Sequence, residues 1–241
     1  MIKDHAYRKG IHPKDLILFR VLVKETDLLV SASRDLSKQT RDRVHHYRRQ
    51  LEDYIKTKPD FFYTLLPYPE DCFAPEIIRE MISATRIFGV GPMAAVAGTI
   101  AQLVGRDLLE YTQELIVENG GDIFLKTERP ATVSIFAGSS KLSDKLGIVI
   151  YPEQMPAGIC TSSATVGHSL SLGSADSVCV ISSKASIADA AATALGNRIT
   201  NQFKLKKEIE SMRQFKDIKG GVVIIGKKMA SWGEIELTTT N

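Results

Sequence analysis

Between residues 114 and 151, four short apolar runs follow one another with only turn-forming residues between them: 114–119, 123–126, 132–136 and 147–151. Runs this short and this rich in Ile, Val and Phe read as strands. Their connections are too brief to hold the helical crossover that a parallel pair requires, so neighbours must pair antiparallel. Residues 16–24 and 27–33 are β-rich runs around a short polar turn and read as an N-terminal hairpin. Residues 177–182 add a strand, and residues 221–225 and 234–237 read as a closing pair.

Helical periodicity occupies much of the rest. After Ser33, which has the chemistry of an N-cap, apolar Leu36, Val44, Tyr47, Leu51, Tyr54 and Ile55 recur among charges, giving an amphipathic helix that ends near Lys58. Its Arg and Lys residues, with His45 and His46, are diluted by Asp35, Asp42, Glu52 and Asp53, the pattern of a solvated face. Further helices are expected over 75–87, from the Gly89 region to about 109, over 187–200 and over 204–215. Long helices combined with antiparallel strands make the fold class α+β. No repeat and no dividing linker interrupts the chain, so residues 1–241 are expected to form one domain.

Composition narrows the function. The chain is 44% hydrophobic and 24% charged, the balance of a globular protein. A formal charge of +3 is too small to indicate a nucleic-acid partner. Cys72, Cys160 and Cys179 are an odd number without paired spacing, as in proteins that keep their thiols reduced. The first residues show no apolar leader and no run approaches the roughly 18 apolar residues of a membrane span, so a cytoplasmic location is expected. The small residues, however, are unevenly spread. Thirteen of the nineteen serines fall between Ser134 and Ser186, and alanines bunch over 94–101 and 185–194. Small residues let backbones approach each other or a ligand, which directs the search for function there.

Gly89-Val-Gly-Pro-Met-Ala94 matches the G-x-G-x-x-A form of a dinucleotide fingerprint, with Glu118 at the end of the next strand. A true fingerprint follows a buried strand, whereas the residues before Gly89 have helical periodicity. The alternatives are a close-packed helix start or an anion-binding helix N-terminus. Asn119-Gly120-Gly121-Asp122 reads as a hairpin turn, yet a turn needs neither the Asn nor the Asp, and a site laying backbone against a nucleotide would use all four. Thr161, Ser162 and Ser163, with His168 nearby, form a hydroxyl cluster able to bind phosphate oxygens. Serine hydrolysis is disfavoured, because no G-x-S-x-G elbow is present. Asp189 and Thr193 stand four apart on an expected helix, separated by three alanines, and present hard oxygen donors of the kind Mg²⁺ takes. A first-turn acid favoured by the helix dipole is the alternative for Asp189.

Taken in order, the glycine-led helix start, Asn119 to Asp122, Thr161 to Ser163, His168 and Ala188-Asp189-Ala-Ala-Ala-Thr193-Ala-Leu195 resemble the ApbE superfamily of flavin transferases. The whole chain looks like a divergent branch of that superfamily found in methanogens and related anaerobes. The resemblance implies an α+β fold of T-fold-like halves, with FAD or FMN and Mg²⁺ as cofactors. It implies Asp189 and Thr193 as metal ligands, His168 as the catalytic histidine, and Asn119, Gly120, Gly121, Asp122, Thr161, Ser162 and Ser163 beside the flavin nucleotide. It also implies a role in sulfur assimilation into homocysteine, with a protein partner in sulfur transfer. The sequence departs from the superfamily where transfer chemistry would sit: His168 is followed by Ser-Leu-Ser-Leu rather than x-x-Asp-Pro, and the glycine-led helix has no lysine. A non-enzymatic accessory protein for sulfur transfer is the alternative of a different class. Cys160, beside the hydroxyl cluster, is the better thiol for a persulfide and Cys179 the more structural one.

Overall fold

The structure is a computed structural model that describes residues 15–138, 140–164 and 172–240. In chain order the strands β1 (Ile17–Val23) and β2 (Thr26–Ala32) form the N-terminal hairpin, followed by α1 (Ser37–Thr57) and the single turn α2 (Asp60–Tyr63). Then come α3 (Glu76–Phe88), a 3₁₀ turn at Pro92–Ala95 and α4 (Val96–Leu108). Strands β3 (Leu115–Asn119), β4 (Asp122–Lys126), β5 (Ala131–Ser134), β6 (Leu146–Ile150) and β7 (Ala157–Ser162) follow. The chain closes with β8 (Ser177–Ser182), α5 (Ala185–Arg198), α6 (Leu205–Met212), β9 (Ile218–Ile225), β10 (Lys228–Gly233) and β11 (Glu236–Thr239).

Eight strands form one sheet in the order β1-β2-β3-β4-β7-β8-β9-β10, and β11-β6-β5 form a second. Every pairing is antiparallel, as the short connections require. The large sheet is covered on both faces, and strand parity decides which side chain goes where. Leu115, Val117, Phe124 and Cys160 face the helices, joining the core that contains Leu36, Val44 and Leu103. The intervening Ile116, Ile123, Leu125 and Ile159 face the small sheet, where they meet Val133, Ile148 and Ile150. The α5 and α6 helices share a further cluster with Val178, Val180, Val223 and Trp232.

Four details differ from the sequence reading. The first long helix starts at Ser37 rather than after Ser33. Asp35 Oδ1 accepts the Ser37 N–H at 2.8 Å, and the Ser33 hydroxyl is occupied 2.7 Å from that of Thr112. Ala157–Ser162 is a strand, although its Gly and Thr-Ser content shows no alternation; it is held on both sides, by β4 and β8. The expected closing pair is not made. Strand β9 turns back at Gly226, where φ is +60°, and pairs with the polar run β10, while β11 crosses to the small sheet beside β6. Finally, Gly89 ends α3 with φ +73° instead of following a strand, which removes the dinucleotide fingerprint.

The helices approach the sheet through glycine. A Cβ on Gly158 would lie 2.3 Å from Ala185 Cα, so β7 accepts the start of α5 only because it has no side chain there. A Cβ on Gly98 would lie 2.4 Å from the Ala185 carbonyl oxygen, which brings α4 against the same turn of α5. These contacts explain the two alanine bunches as facing helices. Overpacking at such a backbone contact costs about 1–3 kcal/mol. Gly158→Ala is therefore expected to lower the unfolding free energy by about that amount, read from the midpoint of urea denaturation at unchanged slope.

Candidate functional site

The N-terminus of α4 has no side-chain cap of its own. Its first N–H groups have no partner within the helix and require one from outside. Asp189, on α5, supplies it: Oδ2 accepts the Gly98 N–H at 2.9 Å, and the Ala97 N–H contributes as well. A carboxylate here also meets the positive end of the helix dipole. Asp189 is not a first-turn acid of its own helix; the helix start it serves lies 91 residues away in sequence.

The hairpin between β3 and β4 delivers the second part of the site. Gly120 and Gly121 have φ of +65° and +102°, so the glycines are demanded by a two-residue turn. Strand parity then sends Asn119 and Asp122 toward the helices, where they are only 8% and 7% exposed. Asn119 Nδ2 donates to the Ala97 carbonyl at 3.0 Å and fastens the hairpin to the start of α4. Asp122 Oδ1 accepts the Thr161 N–H at 3.3 Å. The turn reading of these four residues thus holds geometrically, with Asn119 and Asp122 buried on the helix side of the sheet.

Asp122 and Asp189 interact directly. Burial raises Asp122 well above the usual carboxylate range, and the Asp189 charge adds to it. Burial likewise pushes Asp189 up to about 7, against the opposing pull of the Gly98 and Ala97 N–H groups. Cys160, fully buried beside them, donates its Sγ–H to the Ala185 carbonyl at 3.2 Å, and its thiol is also raised, first by burial and then by the two carboxyls. A raised, enclosed thiol is the opposite of a reactive one. Cys179 faces the small sheet and is equally buried.

Thr193 lies one turn along α5, partly exposed like Asp189, with its hydroxyl 3.5 Å from the Ala94 carbonyl. Of the hydroxyl cluster, Ser162 faces α5, its Oγ 3.4 Å from where a Cβ on Gly196 would stand. Thr161 turns the other way, toward Cys179, and brings its backbone rather than its side chain to Asp122. The Ser163 hydroxyl donates to the Asp176 carbonyl at 2.6 Å. His168 lies outside the described residues. The contributions that the sequence reading missed are the backbone groups of Ala94, Ala97 and Gly98, for which only the alanine bunching was a signal.

Two neighbouring carboxyls are matched by no Lys or Arg among the described residues. Among the described residues, no group of three or more His, Cys, Asp or Glu is arranged to hold a metal ion. What remains is an all-oxygen donor set of Asp189, Asp122 and the Thr193 hydroxyl. Such a set fits a hard divalent cation that completes its shell with water and phosphate, and does not fit a zinc-type site.

The α+β arrangement is that of an ApbE-like protein, as comparison with known proteins shows. A family model described as AbpE bacteria matches residues 8–227. The chain is 42% identical to the UPF0280 protein of Methanocella arvoryzae over 88% of its own length and 87% of that protein's. It is 41% identical to the UPF0280 protein of Methanococcus maripaludis over 90% of each chain. This chain belongs to that ApbE-like family. Among solved structures, the flavin transferase ApbE from Vibrio cholerae matches with a TM-score of 0.60 at 13% identity, covering 91% of this chain and 97% of that one. The Pseudomonas stutzeri flavinyl transferase ApbE gives a TM-score of 0.61 at 14% identity over 94% of both. At these identities the likeness concerns the fold. No single helix among the described residues is long and apolar enough to cross a membrane.

The carboxyl pair predicts a pH dependence. Because the folded protein holds a proton on Asp189 up to about pH 7 that the unfolded chain releases near pH 4, stability of the metal-free protein falls as pH rises between these values. The slope is about 1.4 kcal/mol per pH unit for one such proton. Asp122→Asn, which takes the second raised carboxyl out of the titration, is expected to flatten the profile; melting temperatures from pH 4.5 to 8 measure both effects.

Proposed function

We propose that this protein binds a flavin nucleotide, FAD or FMN, or another nucleotide, together with Mg²⁺ at the Asp189 site. The observation that carries this reading is the pair of contacting carboxyls, Asp122 and Asp189, set without a cationic side chain at the N-terminus of α4. Asp189 and Thr193 would hold the ion, with Asp122 beside them. When bound, Mg²⁺ supplies positive charge against a phosphate or pyrophosphate. The chain's own residues do the positioning. Asn119 pins the hairpin to α4, the exposed Gly120 lets a ligand approach backbone, and Ser162 offers a hydroxyl on the α5 side. His168 is assigned to orienting or protonating the leaving group, should a bond be broken.

Binding, rather than flavin transfer to a target protein, is the function we assign. The Asp-Pro that follows this histidine in the superfamily and the lysine of its glycine-led helix are both missing here. We treat residues 1–241 as one such domain, place it in the cytoplasm, and assign it to sulfur assimilation into homocysteine with a protein partner; sequence resemblance is what supports that role. A persulfide at Cys160 is not part of this reading, since its sulfur is enclosed.

Titration of FAD and FMN against the protein, followed by flavin fluorescence, tests the proposal. Binding is expected with Mg²⁺, and at least about tenfold weaker with chelator or in Asp189→Asn, a change of about 1.4 kcal/mol or more. Asparagine keeps an oxygen for the Gly98 N–H, so the fold should persist. No binding of FAD, FMN or any other nucleotide in the presence of Mg²⁺ would sink the idea. For the cellular role, a strain lacking the protein should regain growth dependent on sulfide assimilation with the wild-type gene and fail to regain it with Asp189→Ala.

A further inference from the structure

The segment from α2 to α3 carries its apolar residues on two sides. Inward, Phe61 packs edge-on against Tyr54 and Tyr68, with ring centroids 5.1 and 5.2 Å apart, and Ala74 is buried. Asp71 accepts from the Tyr54 hydroxyl at 2.9 Å and pairs with Lys58 at 2.6 Å, so the segment is fastened to the end of α1. Outward, Phe62 is 47% exposed, Tyr63 75%, Leu65 60%, Leu66 70% and Phe73 96%. Isolated exposed apolar residues need no explanation, but five large ones on one anchored segment do.

From the usual size of such side chains, the five present on the order of 700 Å² of apolar surface, close to the roughly 800 Å² that each partner contributes to a standard stable interface. The basic residues Lys58 and Arg86 beside them are already paired within the chain, with Asp71 and Glu70 respectively. A membrane-binding patch would carry a basic rim, and a strongly charged partner would be met by uncompensated charge of the opposite sign. A neutral, apolar surface is instead complementary to itself, which is what a two-fold contact between identical chains needs.

We propose that the outward face of this segment, Phe62, Tyr63, Leu65, Leu66 and Phe73, is the contact between two copies of this chain. The face adjoins the functional site through Gly91, where a Cβ would stand 2.0 Å from the Thr64 carbonyl oxygen, so the dimer contact and the turn leading into α4 are in direct touch.

Sedimentation equilibrium of the full chain should give twice the chain mass. Leu66→Asp combined with Phe73→Asp should weaken the dimer at least about tenfold while leaving the melting temperature of the separated chain unchanged. Because Cys160 and Cys179 are buried and Cys72 is exposed within the segment, a spin label on the wild-type protein reports from Cys72. It should show one narrow distance between copies, lost on dilution with unlabelled protein. A monomer at all concentrations overturns the proposal, as does a dimer untouched by the double variant, or a broad, remote Cys72 distance. Monomers that bind anionic vesicles through this face overturn it in favour of a membrane surface.

Discussion

Everything at the candidate site depends on how closely α5 lies against β7 and α4. That approach is possible because Gly158 and Gly98 have no side chains where Ala185 passes. It also determines where the first turn of α4 finds a cap. The preceding 3₁₀ turn gives the Val96 N–H an acceptor in the Met93 carbonyl, but the next N–H groups, buried without a partner, would each cost free energy. Asp189 accepts two of them from the facing helix, so the glycines permit the approach and the carboxylate makes it favourable. The two halves act together: an alanine at 98 would push the helices apart, and without Asp189 the Gly98 and Ala97 N–H groups would lose their acceptor.

The same approach creates an electrostatic problem that the described residues do not solve. The hairpin turn at Gly120 and Gly121 carries Asp122 into contact with Asp189, and both carboxyls are forced upward by enclosure. A buried carboxylate is ordinarily matched by Arg or Lys, and its charge is otherwise removed by a proton. Here the free protein is left with the proton. A divalent cation would replace it and satisfy both groups, which ties metal affinity to deprotonation of the pair. Structures only 13–14% identical to this chain share its overall fold.

Local chemistry was readable from the sequence, and long-range chemistry was not. The β3–β4 hairpin was legible because Asn119, two glycines and Asp122 are contiguous and flanked by β-formers. The helix bearing Asp189 and Thr193 was legible because alanine favours helix and the four-residue spacing aligns the pair. By contrast, β7 has no periodic pattern of its own; it is a strand because β4 and β8 supply its hydrogen bonds. The mostly exposed β10, with neither a β-rich run nor clean alternation, is specified by the turn at Gly226 and by its partner β9, so 221–225 pairs with it rather than with 234–237. Parity within β7 also separated residues that the sequence grouped together: Ser162 faces the helices and Thr161 the opposite layer.

The distribution of packing gives the site a thermodynamic role in the fold. The buried face of α5 is mostly alanine, with Ala188, Ala190, Ala191, Ala192 and Ala194 in contact with the sheet or neighbouring helices. Alanine contributes little buried area per residue, so this helix is held less by hydrophobic burial than α3, whose buried face includes Ile77, Ile78, Met81, Ile82 and Phe88. Its docking leans correspondingly on the polar contacts of Asp189 and on the close fit at Gly98 and Gly158. Anything that binds the folded carboxyl pair and not the unfolded chain therefore adds its stabilisation where α5 docks on α4 and the sheet.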